Sequence, residues 1–250
     1  MTRIGILGIS GRMGRLLAEE VTAAGATLAG GTAHRGGQWP SDPQALARVS
    51  DALIDFTTAA AVEPHLRAAL AARKPLILGT TGLTAAQETA LAEAGREIPV
   101  VYAANFSPGV NLVLALAERM AAALPADRYD AEILEMHHRQ KVDAPSGTAL
   151  ALGRAVARGR GTTLEAAGAE SGRDGHCGAR GTGTIGFAAL RGGQVVGEHT
   201  LLFAAGAEHI ALTHRSFDRR VYATGAVRAA LWLHGRAPGL YDMKHVLGMA

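Results

Sequence analysis

The chain has 250 residues, 48% of them hydrophobic and 19% charged, enough apolar material for one large core or two modest ones, and two domains are expected. The net charge is +3, but the 25 Lys+Arg are dispersed and aromatic residues make up only 4%, which excludes a basic block or stacking platform for nucleic acid and suits a small anionic ligand equally well. The lone Cys177 excludes an internal disulfide and a multi-cysteine metal site; with no apolar run long enough to span a bilayer and no signal-peptide pattern, a soluble cytoplasmic protein without metal, membrane or nucleic-acid partners is expected.

The chain opens on an apolar strand, Ile4 to Leu7, followed by Gly8-Ile9-Ser10-Gly11-Arg12-Met13-Gly14 and a helix beginning near Met13 and running through Leu16, Leu17 and Val21. Glycines spaced by three at a strand-to-helix turn let a backbone approach a pyrophosphate at a helix N-terminus, although the spacing is not the strict G-x-G-x-x-G fingerprint. A tight turn without a ligand is the alternative. A second strand, Thr27 to Ala33, ends in Ala33-His34-Arg35, where a dinucleotide fold commonly places an acidic residue against the ribose hydroxyls. With two potential cations there and no carboxylate, a 2′-phosphate is accommodated, so NADPH is expected as the preferred cofactor, with NADH second.

Three further apolar runs, Ala52 to Thr57, Pro75 to Gly82 and Val100 to Ser107, are separated by Ala-rich helical patterns, the signature of a parallel sheet buried on both faces. Ligands of such sheets sit at the carboxyl ends of strands, so Phe56, Gly79-Thr80-Thr81 and Ala103-Ala104-Asn105-Phe106 are candidate cofactor contacts. Pro108-Gly109-Val110-Asn111 then leads into a long amphipathic helix and a second lobe.

That lobe carries the densest chemistry in the chain. A strand (Ala131, Ile133, Leu134) runs into Glu135-Met136-His137-His138-Arg139-Gln140-Lys141-Val142-Asp143-Ala144-Pro145-Ser146-Gly147-Thr148 and then an Ala/Leu-rich helix. The helix start places backbone N–H groups beside Gly147 and Thr148, an arrangement that favours a carboxylate or phosphate, and Lys141 adds a positive charge. His137 and His138 are adjacent, so a continuing strand points them to opposite faces and gives them different roles. Gly168 to Gly183 reads as a long polar loop carrying Arg173, His176 and Arg180. The remaining runs, Thr184 to Leu190, Gln194 to Phe203 and Glu208 to His214, joined by Gly-Gly and Ala-Gly-Ala turns, predict an antiparallel meander with an open face suited to a second subunit, with His199, His209 and His214 in structural roles. A helix from Phe217 to His234 and a closing segment around Tyr241 to Leu247 complete the chain.

Taken together, Gly8 to Gly14, Ile54-Asp55-Phe56-Thr57, Gly79-Thr80-Thr81-Gly82, Ala103 to Ser107, Glu135 to Thr148, Gly183 to Phe187, Gly197-Glu198-His199-Thr200 and Gly225-Ala226-Val227-Arg228 closely resemble the 4-hydroxy-tetrahydrodipicolinate reductase (dihydrodipicolinate reductase) family of lysine and diaminopimelate biosynthesis, over nearly the whole chain. The resemblance implies an α/β fold: an N-terminal Rossmann dinucleotide-binding domain, residues 1–107 and 217–250, plus an α+β substrate and tetramerisation domain with a mixed open sheet, residues 108–216. It further implies NADPH or NADH as cofactor, a cyclic dicarboxylate as substrate and a homotetramer. By the same resemblance His137 is the proton donor or acceptor, Lys141 binds substrate and can donate a proton, His138 contacts substrate, and Gly147 and Thr148 bind a carboxylate; Arg219 is a further candidate for the dianion. A reductase of another cyclic imino or keto acid, and a non-enzymatic NADPH-binding sensor, are the competing readings.

Overall fold

The computed structural model describes residues 1–33 and 39–250. The chain begins with β1 (Arg3–Leu7), α1 (Arg12–Ala23), β2 (Thr27–Thr32), α2 (Pro43–Val49), β3 (Ala52–Asp55), α3 (Ala59–Ala72), β4 (Leu76–Leu78), α4 (Ala85–Ala94) and β5 (Pro99–Tyr102). It continues with α5 (Pro108–Ala123), β6 (Asp130–His137), α6 (Gly147–Gly159), α7 (Leu164–Ala167), β7 (Ala169–Ser171), β8 (Ile185–Arg191), β9 (Gly197–Ala204) and β10 (His209–Ser216). The last elements are α8 (Arg220–Leu233), β11 (Gly239–Tyr241) and α9 (Met243–Val246). Two units result: Met1–Pro108 with Arg220–Ala250, and Gly109–Arg219.

The first unit is built on a Rossmann-like sheet in the order β11-β5-β4-β3-β1-β2, parallel throughout. Alternation along the strands fills two cores. Ile4, Ile6, Ile54, Ile77 and Val101 pack with Leu17 and Val21 of α1 and Ala226, Ala230 and Leu233 of α8. Leu7, Leu53, Leu76, Leu78 and Val100 point the other way, onto Leu46, Val62, Leu66 and Leu91 of α2, α3 and α4. Burial on both faces is why these strands read as continuous apolar runs, and each fully buried aliphatic contributes about 1.5–3 kcal/mol. The strand order turns about β1, which has β2 on one side and β3 on the other. The carboxyl ends of β1 and β3 therefore diverge into the crevice where sheets of this kind take their ligands. The C-terminal strand β11 adds to β5 as an edge, an element too short for the sequence pattern to reveal.

The second unit has a mixed sheet in the order β10-β9-β6-β8-β7, with α5 and α6 on one face. The core beneath those helices joins Ile133 of β6, Ile185 and Phe187 of β8, and Leu201 and Phe203 of β9 to Val113 and Ala117 of α5 and Leu152 and Val156 of α6. Here the sequence expectation of a consecutive meander is corrected. Only β9 and β10 form a hairpin; β8 and β9 are separated by β6, which pairs parallel with β8 and antiparallel with β9. The Gly192-Gly193 connection is thus a crossing past the end of β6 and not a hairpin turn: Gly192 N–H donates to His137 O at 2.9 Å and His138 N–H to Val195 O at 2.8 Å. A central strand needs partners on both edges, and β6 obtains them from the two strands that this connection joins. The polar stretch expected as one long loop also contains β7, paired with β8. Arg180 in that stretch is structural: its guanidinium donates to Glu132, Asp130 and the carbonyls of Ala131 and Thr184.

Candidate active site

Strand parity builds the centre of the site. Along β6 the residues Ala131, Ile133, Glu135 and His137 share the buried, helix-facing side, so a carboxylate and an imidazole continue a row begun by core aliphatics. Glu135 is only 1% exposed. Burial pushes its carboxyl pKa up, but the Arg191 guanidinium, the His137 ring and the Ser146 amide more than offset this and hold it below the ordinary carboxylate value. Its Oε2 meets His137 Nδ1 at 2.5 Å and accepts Arg191 Nη1 at 2.9 Å; its Oε1 accepts Arg191 Nη2 at 2.8 Å and the Ser146 N–H at 3.1 Å. Against an ionised acceptor, His137 Nδ1 must carry the hydrogen, which leaves Nε2 to take up or deliver a proton. For His137 itself, burial is the strongest influence and lowers the pKa; Glu135 opposes it, and the charges of Lys141 and Arg191 add to the lowering, so the net direction is down. The β9 position next to Nε2 is Gly197, which has no side chain to cover it. A Cβ there would stand 3.0 Å from Nε2.

The turn that follows brings up the anion-binding elements. Ser146 caps α6, its hydroxyl accepting the Ala149 N–H at 3.2 Å, so Gly147 and Thr148 are the first two helical residues at the positive end of the helix. Gly147 is exposed, and a Cβ there would meet nothing within 4 Å. His138 leaves the strand with a half-buried ring whose Nδ1 has no partner among the described residues. Lys141 is half-buried, its Nζ paired with the more exposed Asp143 at 2.8 Å, and its charge reaches His137. Arg191 reaches the same loop from β8, donating to the Asp143 carbonyl at 2.6 Å. Glu135 is thus joined directly to His137 and, through the Ser146 amide, to the helix start that carries Gly147 and Thr148, with Lys141 in electrostatic range of His137 and His138 next to it in the chain, whereas Arg219 is exposed just ahead of α8.

Three contributors escaped sequence reasoning. Glu135 stands in the conspicuous string but carried no assigned role, although its i, i+2 relation to His137 on a strand was the signal. Arg191 reads as part of a turn, and its 56-residue separation from Glu135 hides the pair. His199, expected to be structural, lies with its ring edge-on to His137 at 5.0 Å and its Nε2 3.2 Å from Ser146 Oγ. Burial lowers its pKa to about 4, so it is neutral near pH 7.

The first unit has its own candidate site at the carboxyl ends of β1, β3, β4 and β5. Gly8 has φ +79°, and a Cβ at Gly14 would lie 2.2 Å from the Gly8 carbonyl oxygen, so the turn Gly8-Ile9-Ser10-Gly11 presses directly onto the start of α1. Ser10, Gly11 and Arg12 are exposed there, Met13 is half-buried and Ile9 is packed beneath Gly31. Asp55 is fully buried, accepts the Thr57 N–H and hydroxyl at 2.8 and 2.6 Å, meets His65 Nδ1 at 2.7 Å, and so fixes the turn after β3. Phe56 lies over Gly79 and tilts against Phe106 at 5.2 Å. The side chains of Thr80 and Phe106 are buried, so these two shape the site through packing and backbone, while Thr81 and Ala104 are exposed and Ala103 and Asn105 half-exposed. A cleft of 620 Å³ lined by Gly8, Thr32, Ala33, Thr57, Thr58 and His65, and a second of 260 Å³ lined by Met13, Phe56, Ala104, Asn105, Phe106 and Tyr222, flank the glycine turn. A glycine-rich turn at an uncapped helix start, between two clefts, fits a dinucleotide: a pyrophosphate at the helix end with a heterocycle to either side. His34 and Arg35 lie outside the described residues.

Comparison with known proteins finds one family over both halves of the chain. The family described as "Dihydrodipicolinate reductase, N-terminus" matches residues 2–106, and "Dihydrodipicolinate reductase, C-terminus" matches residues 109–247. A 4-hydroxy-tetrahydrodipicolinate reductase from Granulibacter bethesdensis is 63% identical over 255 residues, covering 99% of this chain and 97% of that one. One of the same name from Acidiphilium cryptum is 63% identical over 247 residues, covering 99% and 98%. Among solved structures, a dipicolinate-bound dihydrodipicolinate reductase from Paenisporosarcina sp. TG-14 superposes with a TM-score of 0.77 at 24% identity, covering 97% of both chains, a likeness of fold.

The buried groups make stability pH-dependent in a defined direction. Glu135, His137 and His199 all have folded pKa values below their ordinary ones, so the unfolded chain binds more protons in the intervening range and stability rises with pH there. For His199 the window runs from its ordinary value of 6.5 down to about 4, and the stabilisation is lost as pH falls through it. The thermal midpoint is expected to fall over this range, and more shallowly in His199→Gln than in the unaltered protein. Parallel declines in the two would show that His199 is not a source of the dependence.

Proposed function

The chain belongs to the dihydrodipicolinate reductase family, and we propose that it reduces 4-hydroxy-tetrahydrodipicolinate to tetrahydrodipicolinate in lysine and diaminopimelate biosynthesis, with NADPH as the preferred hydride source and NADH second. Membership makes it an oxidoreductase that uses a pyridine nucleotide; the observation that carries the substrate is the Glu135-held His137 beside Lys141 and the Gly147–Thr148 helix end. The net reaction consumes one hydride and one proton and releases water. The nucleotide supplies the hydride, held in this reading by the first unit through Gly8 to Gly14, Phe56, Gly79 to Thr81 and Ala103 to Phe106. The remaining tasks, binding a dianion and handling a proton, fall to the second unit.

The helix end receives one carboxylate of the substrate, and Lys141 can exchange Asp143 for a substrate anion. His138 lines the same turn, and Arg219 is a further candidate for the second carboxylate. Glu135 locks the His137 tautomer so that the titrating lone pair is always at Nε2. In the absence of substrate, burial and two nearby cations favour neutral His137; a bound dianion reverses that balance, because its charge favours the imidazolium. Substrate binding therefore draws a proton onto His137, where the reaction needs it.

The open face of the second sheet supports assembly. Leu134 on β6 and Leu190 on β8 are 46% and 50% exposed on the side away from α5 and α6, the kind of apolar sheet surface that a second copy covers. We assign the homotetramer to this face. No helix among the described residues is long and apolar enough to cross a membrane, and the proposed pathway places the enzyme in the cytoplasm.

Oxidation of NADPH with substrate generated in situ from pyruvate and aspartate semialdehyde by a synthase tests the reaction. Rapid turnover is expected, with higher catalytic efficiency for NADPH than for NADH. No synthase-dependent oxidation by folded protein that binds NADPH would overturn the substrate, and equal efficiencies would overturn the cofactor preference drawn from Ala33-His34-Arg35. Proton linkage gives a second test. Pyridine-2,6-dicarboxylate, an unreducible dianion, should bind with uptake of a proton near neutral pH and weaken as pH rises above the imidazole range, and His137→Gln should remove that dependence. Affinity independent of pH between 6 and 8 would contradict the role given to His137.

A further inference from the structure

His199 is used by nothing in the mechanism above, yet it is buried at 4% exposure in the row that carries Glu135. The register explains the placement: on β9 it lies directly opposite Glu135 of β6 and His214 of β10, so all three occupy one level of the sheet on the helix-facing side. Both neighbours on β6 and β9 reach the same residue. Glu135 Oε1 accepts the Ser146 backbone N–H at 3.1 Å, and His199 Nε2 lies 3.2 Å from the Ser146 hydroxyl.

The Ser146 oxygen accepts the Ala149 N–H as the cap of α6 and keeps one hydrogen and one lone pair, so the hydroxyl can pair with His199 Nε2 as donor or as acceptor, according to the imidazole tautomer. In either tautomer His199 Nδ1 has no partner among the described residues. A buried, unpaired polar nitrogen costs stability, so packing alone does not account for an imidazole at this position.

We propose that His199 is a positioning residue for the dicarboxylate: through the Ser146 hydroxyl it holds the Gly147–Thr148 helix end at a fixed distance from His137. The proposal rests on the reading that this helix end takes a substrate carboxylate. Ser146 is thereby tied at two points, its amide to Glu135 and its hydroxyl to His199, while the ring of His199 abuts that of His137 at 5.0 Å. One side chain thus contacts both the proton-handling group and the cap of the anion-binding helix, and fixing that geometry is worth more to binding than to the chemical step.

The test is calorimetric binding of pyridine-2,6-dicarboxylate to the NADPH-loaded full-length protein, together with steady-state kinetics, for His199→Leu, His199→Gln, Ser146→Ala and the Ser146→Ala/His199→Leu pair. Gln can place an acceptor where Nε2 stood; Leu cannot. His199→Leu is expected to weaken dicarboxylate affinity and raise KM about tenfold, the scale of one lost hydrogen bond, with a smaller fall in kcat and unchanged NADPH affinity. His199→Gln should recover most of the loss, and in the Ser146→Ala background His199→Leu should add nothing further. If the Leu variant does not fold, His199→Asn, polar but too short to reach Ser146, gives the same comparison with Gln. Wild-type affinity in His199→Leu or Asn, equal loss in Gln and Leu, or additive effects in the double variant would each overturn the positioning role. Absence of dicarboxylate binding by the unaltered protein would be a different failure, that of the substrate reading itself, and would take this proposal with it.

Discussion

A single buried carboxylate organises the reactive half of the molecule. Removing Glu135 from water is costly, and it is tolerated because four donors converge on its two oxygens: two from Arg191 and one each from His137 and Ser146. Each partner belongs to a different piece of the site. Arg191 brings the end of β8 and, through the Asp143 carbonyl, the loop that carries Lys141; Ser146 brings the helix end; His137 brings the titrating nitrogen. Losing any one of them leaves charge on a 1% exposed group without full compensation. Stability and function are therefore coupled at this point.

The two units use opposite logics for their sites. In the first, side chains are withheld: glycines at the end of β1 and the start of α1 leave backbone exposed to a ligand, and the buried Asp55 serves only to shape a turn. In the second, polar side chains are concentrated on a strand face otherwise occupied by Ile133 and Ala131, within a core that includes Phe187 and Phe203. Low polarity around them strengthens every charge interaction and depresses the pKa values of His137 and His199, chiefly through burial. Neutral imidazoles can then act as directed acceptors or as proton acceptors awaiting an anion.

Much of this was legible in the chain. The parallel sheet could be read because its strands are buried on both faces, as Ile4 to Leu7 and Leu53-Ile54 show, and the Glu135 to Thr148 string marked the second site by its density of charge and its helix start. What escaped depended on pairing between distant segments. Gly192-Gly193 looks the same whether it closes a hairpin or crosses the end of another strand, and only the insertion of β6 between β8 and β9 decides it. The same insertion brings Arg191 and His199 to Glu135 from separate strands, a juxtaposition that no local spacing encodes. β7 and β11, three residues each, are too short to carry a periodicity.

In this mechanism Glu135 sets the state of His137, and kcat of Glu135→Gln, measured alongside NADPH affinity and thermal unfolding, is the decisive measurement. Gln keeps the size of the side chain but removes the charge and replaces one acceptor oxygen by an N–H donor, so the fixed Nδ1–H tautomer and the Arg191 pair are both lost. A fall in kcat on the order of 10²-fold or more is expected in a folded protein that still binds NADPH normally. A folded variant turning over at close to the unaltered rate would show that Glu135 does not set the state of His137.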